Sequence, residues 1–179
     1  FYGIGAYTSA LLTAKAGWPF LLALPMAGLV AALVGVLLGL FSVRVREDFL
    51  AVTTIGINFV VVAIFQYVEL FGASLGLAVP KPEIFGLRFG NTEILILLVS
   101  LNILVYLFMR HLPKSWLGLA LGGVRNEEEA AASLGVNPDH YKVFAFGIGT
   151  FIAGMTGSVY AHFMVFIYST DFSLPVSVG

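Results

Sequence analysis

Residues 20–43 read FLLALPMAGLVAALVGVLLGLFSV, twenty-four positions without an Asp, Glu, Lys or Arg. A helix of about 20 apolar residues crosses a hydrocarbon core of about 30 Å, and lipid leaves only helices or closed barrels because every backbone group must pair internally. The stretch therefore predicts a membrane span. Phe49 to Val68 and Val143 to Tyr168 are uncharged in the same way. Ile94 to Met109 is shorter and spans if Asn91, Thr92 and Arg110 sit among headgroups. Phe1 to Ala14 reads as the outer part of a fifth helix already under way, so the chain is expected to be an internal fragment. The expected fold is all-α, a polytopic transmembrane bundle of about five spans.

Composition agrees. Of 179 residues, 59% are hydrophobic and 11% charged, against about 25% charged in soluble domains, and the mean hydropathy is +0.98. A net charge of -1 and the absence of cysteine speak against a nucleic-acid module or a disulfide scaffold. Alternating the five spans puts Arg44, Arg46, Arg110, Lys114, Arg125 and Lys142 on one side and Lys15, Lys81 and Arg88 on the other. Basic loop residues accumulate in the cytoplasm, so residues 110–142 are expected inside and 69–93 outside. Trp18, Tyr67, Tyr160 and Tyr168 then fall at the outer interface, Trp116 and Tyr141 at the inner one.

Ala23, Ala27, Ala31, Gly35 and Gly39 recur every four residues, and Ala153, Gly157 and Ala161 repeat the pattern. Small residues at this spacing let helix backbones approach closely in lipid, which favours packing within the chain over a subunit interface. Pro25 is expected to kink its helix. No span carries a formal charge, which argues against an ion-driven carrier. Thr54 and Asn58 share one helix face and either line a polar path or bond a neighbouring helix. His162 is expected at the outer interface, touching water.

Catalytic and cofactor motifs are missing. Gly3-Ile-Gly5-Ala-Tyr-Thr8 lacks the third glycine of a dinucleotide loop, and Lys114-Ser115 follows Pro113 where a phosphate loop needs Gly. The scattered His111, His140 and His162 offer no metal site. Glu47 and Asp48 beside Arg44 and Arg46 read as an ion-paired turn, with Asp48 capping the helix from Phe49.

The loop from Arg110 to Lys142 concentrates charge and holds a helix signal. Asn126 is expected to cap it, Glu129 to close a capping box at the third position, and Glu127 to Glu129 to face the positive end of the dipole. Ala130, Ala131 and Ala132 favour helix, and Gly135 is expected to end it at positive φ. A surface helix of about ten residues is marginal alone, so it is expected to lean on a partner.

Glu129-Ala130-Ala131-Ala132-Ser133-Leu134-Gly135 resembles the EAA-x3-G loop of ABC-transporter permeases. The longer segments FYGIGAYTSALL (1–12), VRVREDFLAVTTIG (43–56), SWLGLALGGVRNEEEAAASLGVNPDHYKVFAF (115–146) and 153–161 resemble the LivM/LivH-type permeases for branched-chain amino acids, closest to the LivM side. Glu47, Phe59, Trp116, Leu119, Gly122 and Phe71-Gly72-Ala73 depart from that pattern. The resemblance implies that residues 1–179 are part of one permease domain whose outer helices lie beyond both ends, in a bacterial or archaeal cytoplasmic membrane. It implies a role in import of branched-chain amino acids or a similar small polar solute, with ATP hydrolysed on partner ATPase subunits. A second permease subunit, an extracytoplasmic solute-binding protein and membrane lipid are the other implied partners; no nucleic acid and no cofactor are. Arg125, Glu128, Glu129, Ala130, Ala131 and Gly135 would couple to the ATPase, with Thr54 and Asn58 lining the path. The alternative is a passive channel or facilitator for a small neutral solute, which has no need of a capped cytoplasmic helix.

Overall fold

The computed structural model describes residues 1–42, 47–68, 76–84 and 87–172. Arg44 and Arg46, and residues 69–75 and 85–86 of the expected outer segment 69–93, lie outside the described residues. Among the described residues seven α-helices follow in order: α1 (Tyr2–Ala14), α2 (Phe20–Ser42), α3 (Glu47–Tyr67), α4 (Asn91–His111), α5 (Trp116–Asn126), α6 (Glu128–Ser133) and α7 (Pro138–Met164). The protein is a helical membrane bundle. Phe20–Phe41, Asn91–Lys114 and Pro138–Met164 are long and apolar enough to cross a bilayer.

The helices depart from the apolar stretches at their ends. α7 begins five residues before Val143 because Pro138 takes the first turn and the Asn137 side chain accepts from the amides of Asp139 and His140, at 3.1 and 3.5 Å. It stops before Tyr168 because Val165 adopts φ 63. α3 already includes Glu47, so Asp48 lies within the helix and not at its cap. α4 is longer than its apolar run by a turn, with Glu93 in the first turn and Arg110 and His111 in the last, the charge order that a helix dipole favours.

Four short strands among the described residues were not anticipated. β1 (Leu77–Ala78) pairs antiparallel with β4 (Phe166–Ile167), and β2 (Glu83–Ile84) with β3 (Leu87–Arg88). The first pair ties the segment after α3 to the end of α7, so both leave the bundle at the same end, as an alternating path requires.

The centre is the packing of α1, α2 and α7. Ala23, Ala27 and Ala31 are wholly buried. A β-carbon on Gly28 would press on Phe151 and Met155, one on Gly147 on Val36, and one on Gly154 on Ala31 and the Ala27 carbonyl. The α2 ridge thus faces the chain's own α7. Here Gly35→Leu is expected to lower the yield of folded protein after detergent extraction far more than Leu37→Ala, because a β-carbon at Gly35 would overlap Thr150 while Leu37 is half exposed. Gly39→Leu should be milder, since its nearest neighbour would be Val143 at 3.5 Å, an ordinary contact. Equal yields for Gly35→Leu and Leu37→Ala would contradict this packing.

Across α1 and α7 the closest approach is backbone to backbone, at Gly5 against Gly154 and at Gly157 against the Tyr2 carbonyl. Ser158 Oγ donates to Ser9 Oγ at 2.7 Å, both residues wholly buried. His162 is also buried, 1% exposed, and does not sit at a wet interface. Its Nδ1 lies 2.8 Å from the Ser158 carbonyl and its Nε2 3.2 Å from Thr13 Oγ1, with the Phe20 ring edge-on at 4.5 Å. Close helix packing makes room for the imidazole between α1 and α2, where it satisfies its own nitrogens. α4, by contrast, is exposed along nearly its whole length, with Leu95, Ile96, Val99, Ile103, Leu104 and Leu107 uncovered.

Candidate functional site: a surface helix pair and a cleft

Two features carry the candidate site. The first is α5–α6, at the end where Arg110, Lys114, Arg125 and Lys142 gather. Ser115 starts α5: its hydroxyl accepts from the Gly118 amide at 3.2 Å and donates to the Leu112 carbonyl at 2.6 Å. Once nucleated there, the helix runs through Asn126, which therefore ends α5 and caps nothing. The break falls at Glu127, in extended backbone (φ -158, ψ 98), whose side chain makes no capping bond. Glu129 is thus the second residue of α6, and the expected capping box does not form. α6 has six residues in place of about ten.

So short a helix is held from outside. Ala131 is buried, 5% exposed, and Lys142 Nζ at the start of α7 meets Glu128 Oε2 at 2.7 Å. Both partners are partly exposed, so the pair positions α6 more than it stabilises it. Gly135 follows at φ +85 with nothing within 4 Å of where a β-carbon would stand. Glu128, Glu129, Ala130 and Ala131 therefore lie on α6, Gly135 just past its end, and Arg125 across the break on α5. The sequence reading placed Trp116 at the inner interface and gave Leu119 and Leu134 no part in the site, yet this arrangement uncovers all three: Trp116 and Leu134 are each 85% exposed, and Leu119 is 66% exposed. Their signal was a bulky apolar side chain in a charged loop.

The second feature is a cleft of about 660 Å³ between α1, α3, α7 and the 3-10 turn Ser169–Phe172. Thr54 and Asn58 both line it, with Tyr2, Ile4, Val61, Phe65, Tyr160 and Phe172 among the others. Asn58 Nδ2 donates to the Phe172 carbonyl at 3.5 Å, while Asn58 Oδ1 is buried without a hydrogen-bond partner. Tyr160 faces this interior, 5.5 Å from Tyr2 and 6.2 Å from Phe172 between ring centres, and does not join an outer aromatic belt. Tyr67 and Tyr168 are exposed, as a belt requires.

The chain is thus a helical membrane bundle with a mostly apolar cleft and a helix pair presented beyond its spans. The chain belongs to the family described as branched-chain amino acid transport system / permease component, whose profile matches residues 1–178. It is 34% identical, over 99% of its length and 48% of the relative's, to the high-affinity branched-chain amino acid transport system permease protein LivM of Escherichia coli (strain K12). The protein of the same name from Salmonella typhimurium is 33% identical with the same coverage. The probable branched-chain amino acid transport permease protein LivM of Methanocaldococcus jannaschii is 25% identical over 86% of this chain and 45% of its own length. The chain thus spans about half the length of the curated relatives it matches. No solved structure gives a significant match.

Proposed function

We propose that the chain forms part of the translocation path of an ATP-driven importer for branched-chain amino acids, in the cytoplasmic membrane of a bacterium or archaeon. The observation that carries this reading is the α5–α6 pair, in a chain of this permease family. It projects Trp116, Leu119 and Leu134 beyond the spans, yet is tied to α7 through Glu128 and Lys142. Exposed apolar side chains of this size on a short helix suit a protein partner, and a cytoplasmic ATPase subunit is the partner that the family suggests. Movement of α6 would pass to α7, and from α7 through the glycine contacts to α1 and α2. A second permease subunit would complete the path, and an extracytoplasmic binding protein would deliver solute. Thr54 and Asn58 line the path. The chain itself supplies no chemistry; ATP is hydrolysed on the partner.

Residues 110–142 are then cytoplasmic. With no native cysteine, Ser133→Cys should react with an impermeant maleimide only after membranes are permeabilised, and Lys81→Cys before. The reverse order would invert the orientation. For the function itself, the complete complex is purified from membranes and placed in vesicles. ATP-dependent accumulation of leucine with a co-purified ATPase is the expected result. Leucine equilibration without ATP and without an ATPase would favour the facilitator.

A further inference from the structure

No predicted span contains an acidic residue, yet the fold brings one to the cleft. Val165 reverses the chain at the end of α7, and its carbonyl accepts the Val79 amide at 2.8 Å. β4 then pairs with β1, and the turn Ser169–Phe172 carries the chain back against α1 and α3. Phe172 is 6% exposed, its ring centre 5.9 Å from that of Tyr2 and 5.7 Å from that of Tyr7. Its carbonyl meets Asn58, which lies eleven residues beyond Glu47, about 16 Å along α3 at 1.5 Å per residue. Asp171, the neighbour of Phe172, therefore lines the cleft at the level of the spans.

Asp171 is the single charged side chain among the described lining residues. One carboxylate oxygen accepts the Tyr168 amide at 3.0 Å, which leaves further lone pairs to be satisfied. A carboxylate at membrane depth is costly unless a cation meets it, and among the described residues no Lys or Arg side chain lines the cleft. The cation is then supplied by what enters. Most of the wall is hydrocarbon, so an organic ammonium fits better than a hydrated ion. Asn58 offers amide donors for an anionic group on the same molecule, with Thr54 lining the wall one turn before it on α3.

We propose that this cleft is a binding station for a zwitterionic amino acid with an apolar side chain. Asp171 receives the ammonium, Asn58 donates to the carboxylate, and Ile4, Val61 and Phe65 surround the hydrocarbon. The assignment rests on the transport reading above and deepens it.

A diazirine analogue of leucine is photolysed with the complete complex in nanodiscs, and labelled peptides are mapped by mass spectrometry. Label is expected within 54–65 or 168–172, competed strongly by leucine, less by 3-methylbutylamine, which keeps the ammonium, and least by 4-methylpentanoate, which keeps the carboxylate. Asp171→Asn can still accept the Tyr168 amide, so it removes charge and little else. It should raise the leucine concentration for half-competition about tenfold or more and erase the advantage of the amine over the acid. Label elsewhere, equal competition by amine and acid in the unaltered complex, or an unchanged Asp171→Asn curve would each overturn the assignment. The analogue comparison decides the matter even if the variant fails to assemble. Leucine uptake by the same complex separates the two readings: uptake with negative labelling sinks the binding station alone, and labelling without ATP-driven uptake sinks the importer alone.

Discussion

Gly5→Leu and Gly154→Leu are expected to reduce folded, detergent-extractable protein several-fold, while Gly56→Leu and Gly149→Leu leave it near the starting level. At Gly5 an added β-carbon would overlap the Gly154 carbonyl and backbone, and at Gly154 it would press on Ala31 and the Ala27 carbonyl. These obstacles are main-chain atoms and one alanine β-carbon in rigid helices, not the tips of flexible side chains. To admit a leucine at Gly5, α1 and α7 must part along their length and give up the buried Ser9–Ser158 hydrogen bond, and at Gly154 it is α2 and α7 that must part. Overpacking of a filled core already costs about 1–3 kcal/mol, and this case lies at or above the top of that range. In lipid no hydrophobic force re-forms a loosened contact. Gly56 and Gly149 have open space where the side chain would go, so they control for the loss of glycine from a helix. Size-exclusion profiles of the four variants make the comparison. Loss of Gly149→Leu equal to that of Gly5→Leu and Gly154→Leu would show that the close contacts of α7 with α1 and α2 are not what hold the bundle.

The second large effect is expected in coupling. Gly135→Val and Leu134→Glu should each abolish most solute-stimulated ATP hydrolysis in the reconstituted complex, while Glu129→Ala has little effect. The positive φ at Gly135 strains a β-branched residue by about 1–3 kcal/mol. The six-residue α6 has no stability of its own to absorb that. The effect is one of backbone conformation alone, because no atom crowds the site. Leu134→Glu acts differently: the side chain is 85% exposed, so the change leaves the fold intact and puts a charge into the surface offered to the partner. Glu129 closes no capping box, which is why its removal should matter little. Retention of coupled hydrolysis by both Gly135→Val and Leu134→Glu would exclude α6 as the coupling element.

The amino-acid sequence by itself determined that this is a helical membrane bundle, where its apolar helices run, and that small residues on α2 pack closely. These follow from local rules, span length, absence of charge and spacing along a helix, which any neighbour arrangement respects. It also carried the family likeness and the positive φ at Gly135, since glycine after an alanine-rich helix has few other uses. Tertiary structure decided the rest. Asn126 looks like a cap until Ser115 is seen to nucleate an earlier helix that consumes it. His162 looks interfacial by position, and only the approach of α1, α2 and Phe20 encloses it. Asp171 lies outside every span in sequence, and a reversal at Val165, held by a strand pair across ninety residues of chain, turns it into the cleft. Which side chains share a space depends on contacts between distant segments, and spacing along one helix does not contain that information.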